Sequence, residues 1–404
     1  MDAEVIVVGG GPAGSCTAAL LAAAGYEVLV LDRARFPRDK ACAEYLSPAT
    51  VDAFARLGVL AAIERWAPER PRGMRLIVGW QTGVLLDYPD GAGRRHALCL
   101  ERRVLDATLL DHARTRGAQV LEGWQVSDVE AAADTVRIGA RPVAEPRSRQ
   151  RELSARLIIA ADGARSAVAA SLGLRRTLRW PRRAGFIARY RGAAGAAALR
   201  EAGEMHVGRG LYCGLAPLPG GRVNVGLVMD LSAARRAGSA SAAFAAGLAR
   251  LPGAAGRLRG GYCEGRLQGA APLAVRAARV YGDGFLLAGD AAGFLDPFTG
   301  EGIFRAVRSA ELAAEVAAQA LAQGACSADR LAPYAALRRR EFAAKEALCW
   351  LIQGLLVWPP LLAYALRRLA ARPAAHAVLG GVLGDYRPAA EALHPALLWS
   401  LLKP

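Results

Sequence analysis

Apolar residues fall along this chain in two rhythms. Short apolar runs occur at residues 5–8, 27–31, 119–121, 156–161 and 285–288, rich in Val, Ile and Leu and almost free of charge. Runs of that length and composition suit strands covered on both faces. Between them, apolar positions return every third or fourth residue: at residues 15–24, at Leu105, Leu109, Leu110 and Ala113, and from Phe304 onward. That period predicts helices with one buried face. Strands alternating with helices predict an α/β fold, a Rossmann-type domain with a mixed parallel sheet and packed helices.

Elsewhere the pattern changes. Strand character returns at Arg189 and Tyr190 and at residues 204–207, 211–218 and 223–229, with a hairpin turn at Pro219-Gly220-Gly221. These segments predict an antiparallel sheet that walls a substrate cavity. Residues 75–86 and 95–100 are expected to add strands to it. Residues 123–155 predict strands and a hairpin at an edge, and residues 231–251 a single alanine-rich helix. The expected division is a discontinuous first domain (1–75, 101–173 and 283–345), a sheet domain (76–100 and 174–282), and a helical C-terminal region (346–404). In that last region, residues 347–366 carry no charge but are interrupted by Pro359-Pro360 and followed by Arg367-Arg368. Two helices packed over the sheet domain fit this best. Peripheral contact with a membrane through these apolar helices, with Trp350, Trp358 and Trp399 as interfacial residues, is the second reading.

The ends of the buried runs carry the chemistry. Gly9-Gly10-Gly11-Pro12-Ala13-Gly14 follows the first strand, and Asp32, then Arg33, follows the second. Gly9, Gly11 and Gly14 fit G-x-G-x-x-G: a tight turn, a close approach of backbone to a pyrophosphate, and close packing of helix on strand. Asp32 stands about twenty residues on, where a ribose hydroxyl acceptor belongs. Asp162-Gly163 ends another buried strand, with Ser166 before a helix, and Gly289-Asp290 ends the last one. Beyond it, Pro297-x-x-Gly300-Glu301-Gly302-Ile303 opens a helix whose free N–H groups favour an electron-rich ligand edge.

In this order the three junctions resemble the flavoprotein hydroxylase fold, the group of para-hydroxybenzoate hydroxylase. Asp39-Lys40-Ala41-Cys42-Ala43-Glu44-Tyr45-Leu46-Ser47-Pro48 and Asp296-Pro297-Phe298-Thr299-Gly300-Glu301-Gly302-Ile303 resemble its geranylgeranyl-reductase-like branch. The resemblance implies FAD as cofactor and NAD(P)H as reductant. It implies that the N-terminal glycines hold the pyrophosphate and Asp32 the adenosine ribose. Arg102 and Asp162 would reach the cofactor, and Asp290 the ribityl chain. The amides at Gly300 to Ile303 would face the flavin N1 and C2 carbonyl. Tyr212, Gly214, Ala216, Pro217 and Phe298 would line the substrate cavity.

The resemblance is incomplete in two places. Ala43 stands where the family commonly has glycine. Gly214 and Ala216 stand where prenyl reductases carry large aromatics, and lost aromatic volume opens the cavity. The expected activity is therefore an NAD(P)H-driven flavin monooxygenase, using O2 on a bulky apolar small molecule, as in secondary metabolism. The alternative is an ene-reductase of isoprenoid or quinone side chains. A flavin halogenase ranks third, because its tryptophan motif and active-site lysine have no match. Three residues are candidates for acid–base or redox roles. Cys42 and Glu44 are one pair, with Cys42 alternatively a small apolar residue packed near the flavin. His206 is the third, as a substrate contact or a structural histidine.

Composition narrows the setting. The 404 residues carry a net charge of +16, almost all arginine, with lysine only at positions 40, 345 and 403. Such a charge favours anionic cofactors, acidic substrates or anionic membranes. No basic helix with interleaved aromatics points to nucleic acid. Seven cysteines without C-x-x-C spacing argue against a disulfide framework or a zinc site and for a reducing, cytoplasmic setting. The first strand begins almost at once, with no basic segment of a secretory leader before it.

Overall fold

The computed structural model describes residues 1–79, 83–90 and 93–402. The parts of the expected spans at 80–82, 91–92 and 403–404 lie outside the described residues. The first domain is built on a six-stranded sheet, in the order Tyr281–Gly282, Phe285–Leu287, Leu157–Ala160, Val5–Val8, Val28–Asp32 and Gln119–Glu122. All neighbours are parallel except the Tyr281–Gly282 edge. Alternation along Val5–Val8 decides what covers each face. Val5 and Val7 pack under the helices Pro12–Ala23 and Gly302–Ala322. Ile6 and Val8 pack against Val126, Val129, Ile138 and Leu153, which belong to a three-stranded antiparallel sheet, Trp124–Ala131, Val136–Pro142 and Arg151–Ala155. One face of the parallel sheet therefore meets helices and the other a second sheet.

The second domain is a seven-stranded sheet in the order Tyr262–Ala270, Arg183–Arg191, Arg222–Asp230, Leu211–Leu218, Gly203–Gly208, Gly73–Val78 and Val84–Asp87. It is antiparallel except where Gly203–Gly208 meets Gly73–Val78 in parallel. One face packs on Ala243 and Phe244. The other, with Met205, Val207 and Tyr212, packs on Leu356, Leu362 and Leu366 of the C-terminal helices. The proline pair does join two helices there: Pro333–Val357 and Pro359–Ala370 meet at Trp358. Their bend is 117°, and among the described residues no single helix is long and apolar enough to cross a membrane.

Three expectations need correction. The helix expected over 231–251 is two, Leu231–Arg236 and Ala240–Ala249. Gly238 takes φ +79 between them, and the Ser239 Oγ accepts a hydrogen bond from the Ala242 N–H (3.1 Å), starting the second helix afresh. Of residues 95–100 only Leu98–Cys99 is a strand, and it pairs with Tyr45–Leu46 rather than with the seven-stranded sheet. The boundary expected at 345 falls inside the continuous helix Pro333–Val357.

Candidate cofactor and substrate site

The chain reverses after Val8 and starts a helix within a few residues. Gly9 takes φ +104 to do so, and a Cβ on Gly14 would lie 1.8 Å from the Gly9 carbonyl oxygen. The turn is thus pressed onto the helix, and only glycine fits the contact. No side chain caps the N-terminus of Pro12–Ala23, and its first turn holds no acid. The same is true of Gly302–Ala322. Gly11, Pro12 and Ala13 from the first helix start and Gly300, Gly302 and Ile303 from the second line one cavity of about 500 Å3. Two uncapped helix starts on one cavity favour electron-rich groups at two points.

The acids at the strand ends border the same cavity. Asp32 is buried, and its carboxylate accepts hydrogen bonds from the N–H groups of Gly10 (2.7 Å) and Ala34 (2.8 Å), which pins the glycine turn. Asp162 Oδ2 accepts from the Ala167 N–H at 2.6 Å. Its Oδ1 is buried without a hydrogen-bond partner, and burial pushes the carboxyl above its ordinary value. Gly163 lies beside it in the lining, as do Gly289 and Asp290, and the Gly289 N–H donates to Ser309 Oγ at 2.8 Å. Pro297 closes the list of expected residues that reach this cavity directly, with Arg33 and Arg102.

Arg102 is held in place more tightly than its expected role requires. Its Nε and Nη2 each donate to Asp106 at 2.7 Å, and Arg38 Nη1 meets the same carboxylate at 3.1 Å. Arg38, Lys40 and Arg165 also border the cavity; Lys40 belongs to the stretch that carries the resemblance, but the resemblance gives none of the three a role. For Arg38 the hint is its place in a polar loop close after the Asp32 strand end.

Several candidates turn away. Glu44 has a left-handed backbone (φ +57). It sits under the cavity wall while Cys42, Ala43 and Tyr45 line it. Its carboxylate accepts from the Arg102 N–H (3.0 Å) and from Arg189 (2.6 and 3.2 Å), so it ties the cysteine loop to the substrate sheet. Glu301 lends its backbone to the helix start, but its carboxylate faces Arg305 (3.3 Å) and Lys345 (3.7 Å). His206 lies on the strand face opposite Met205, 2.9 Å from Glu204, and borders neither cavity described here. Of the three acid–base candidates only Cys42 reaches the cofactor cavity. Its carbonyl accepts from Asn224 Nδ2 at 2.9 Å.

A second cavity, about 180 Å3, lies behind the loop 297–300. Ala43, Tyr45, Pro297 and Gly300 border both cavities. The lining is aliphatic, with Met74, Leu76, Met205, Leu348, Leu355 and Leu366 among it. Gly214, Ala216 and Phe298 belong to this wall as expected, whereas Tyr212 and Pro217 do not. Tyr212 stands behind it: its hydroxyl donates to Asp296 Oδ1 at 2.6 Å, and its ring meets Phe298 edge-on at 5.0 Å. The C-terminal helices supply much of the chamber, including Leu348, Leu355, Leu362 and Leu401, which no local motif announces.

These residues fit FAD. The glycine turn offers backbone N–H groups to a pyrophosphate, and the buried, unsatisfied Asp162 Oδ1 is an acceptor for a cofactor hydroxyl. A Cβ at Gly300 or Gly302 would meet nothing within 4 Å, which leaves room at the second helix start for a flat ring system.

Comparison with known proteins agrees. An FAD binding domain family matches residues 2–184. Menaquinone reductase of Mycobacterium tuberculosis is 33% identical over 326 residues, covering 78% of this chain and 76% of that one. Digeranylgeranylglycerophospholipid reductase 1 of Methanothermobacter thermautotrophicus is 28% identical over 350 residues, covering 84% and 83%. A flavoprotein/dehydrogenase from Cytophaga hutchinsonii shares the fold, with a TM-score of 0.83 at 21% identity over 95% of this chain and 93% of that one. Flavin-dependent halogenases share it as well. The chain belongs to the FAD-dependent oxidoreductases of the para-hydroxybenzoate-hydroxylase fold, in their geranylgeranyl-reductase-like branch.

Proposed function

We propose that this protein is a reductase that saturates a carbon–carbon double bond in an isoprenoid chain, carried by a quinone or a lipid. The aliphatic chamber adjoining the cofactor cavity carries this reading. A hydrocarbon chain gains from burial in proportion to its apolar area and asks for few polar contacts. The reductase names of the relatives support the same direction. On that basis we put the reductase ahead of the monooxygenase that led from sequence.

Saturation adds a hydride and a proton across the double bond. When bound, FAD reduced by NAD(P)H would supply the hydride. The chain's own residues hold and enclose the reactants. The glycine turn and Asp162 border the pyrophosphate region, and Gly300 and Gly302 leave the flavin edge open to backbone N–H groups. The Pro297–Gly300 wall keeps the reacting carbon dry. We assign the proton to the Cys42 thiol, which lines the cofactor cavity beside the shared Ala43 and whose sulfur accepts a hydrogen bond from the Glu44 N–H at 3.4 Å. The Tyr45 hydroxyl is less free, being bonded to the Gly73 carbonyl (3.1 Å) and to the Tyr88 hydroxyl (2.9 Å).

Gly214 and Ala216 favour the second reading, oxygen insertion into a bulkier apolar molecule, because neither puts an aromatic ring into its part of the wall. Product mass separates the two. With NAD(P)H and a prenylated quinone under anaerobic conditions, a product heavier by two hydrogens is expected. A product that forms only with O2 and gains oxygen overturns the reductase assignment.

A further inference from the structure

The elbow between Pro333–Val357 and Pro359–Ala370 presents large apolar side chains to solvent. Val357 is 60% exposed and Trp358 61%, with Trp350 at 41% and Leu351 at 39% about two turns back. Trp180 stacks on Trp350 with ring centroids 5.6 Å apart. A contiguous exposed patch of this kind marks a docking site.

Beside Val357 lies a separate cavity of about 450 Å3. Arg179, Arg182, Arg209 and Arg235 line it against one acid, Asp230. None of those four arginines pairs with an acid among the described residues. Arg183 also lines the cavity; it is buried and paired through Nε with Asp296 (3.7 Å) and Gln353 (3.1 Å), while its Nη1 has no hydrogen-bond partner. Unpaired guanidinium groups around a cavity match the geometry and charge of a phosphate.

We propose that this elbow docks the protein on an anionic phospholipid bilayer. The arginine cavity holds a lipid phosphate, and Trp350, Val357 and Trp358 sit at the headgroup boundary. Tryptophan suits that boundary, with an apolar ring and a polar N–H. Cations close to an anionic leaflet add attraction that salt weakens. Leu351 links the patch to the chamber, because it lines the chamber and is also exposed. A substrate chain resting in the bilayer would then enter without crossing water. That last step rests on the reductase reading; the docking does not.

Flotation of the full-length, FAD-loaded protein with phosphatidylcholine vesicles, with or without phosphatidylglycerol, tests the proposal without any turnover. Binding is expected on the anionic vesicles, weakened roughly tenfold or more by the pair R182E and R235E. W358A is expected to weaken it as well. Flavin absorbance and a thermal melt verify that the variants fold. In the unaltered protein, brominated phosphatidylglycerol should quench tryptophan fluorescence, which keeps the test alive if a variant fails to fold. Equal binding to both vesicle types overturns the proposal, as does absence of quenching. Uptake of inorganic phosphate without vesicle binding makes the cavity an anion site only and overturns the bilayer assignment. Failure of flotation leaves the product-mass experiment unaffected, and the converse holds.

Discussion

The two cavities that meet at Pro297 and Gly300 are built from different materials. The cofactor cavity takes its shape from backbone: a glycine turn, two helix starts and the ends of parallel strands, with charged side chains around them. The chamber behind it is made of side chains from the strands at 73–78, 84–87, 203–208 and 211–218, the loop 297–300 and five C-terminal helices. A backbone site tolerates almost no change at its turn. A side-chain chamber tolerates changes of volume and answers them in what it binds. The strongest way to break this contrast is Gly14→Val. The new side chain would start 1.8 Å from the Gly9 carbonyl oxygen, costing about 3 kcal/mol or more. Flavin absorbance per protein should fall close to zero and the melting temperature should drop. A variant that keeps both would mean that the turn does not set the cofactor site.

The same contrast explains what could be read from sequence. The glycine spacing, Asp32, Asp162, Asp290 and the Gly300-x-Gly302 turn are legible because each is a short stretch whose backbone shape fixes its role. The six-stranded sheet is legible for a related reason, since buried parallel strands are unbroken apolar runs. The chamber is not local. Leu348 and Leu401 meet Met74 and Met205 only through long-range packing, and no single segment spells that. Period two shows that Met205 and His206 face opposite ways, but not which face the C-terminal helices cover. Glu44 and Glu301 mislead similarly. Each lies beside residues that line the site, and its own rotation sends the carboxylate to an arginine or lysine instead.

A milder test enlarges a residue on the chamber side. A Cβ at Gly214 would touch only Met205, at 3.4 Å, so Gly214→Phe should fit by filling the chamber. The expected result is a KM for the isoprenoid substrate about tenfold higher, with flavin content unchanged. An unchanged KM would place the substrate elsewhere. The contrast with Gly14 is then quantitative: one glycine is needed for the cofactor, the other sets the room left for the substrate.

The smallest effect is expected on the far face of the same sheet. Glu204 lies between His206 (2.9 Å) and Arg257 (2.7 to 3.1 Å). Burial opposes its charge, but the hydrogen bonds from His206 and Arg257 outweigh it and hold the carboxyl at about 2. A depressed folded-state value means stabilisation that is complete above the ordinary carboxylate range and is lost as pH falls through that range toward about 2. Glu204→Gln should therefore cost about 2 kcal/mol at neutral pH. That is less than a fully buried broken pair, because Arg257 keeps water around 37% of its side chain. The gap between variant and unaltered protein, read by urea denaturation, should close as the pH is lowered. His206→Asn should lower stability slightly and leave turnover within about twofold. A large fall in kcat with unchanged stability would return His206 to the chemistry, and the chamber face would then have been assigned to the wrong side of the sheet.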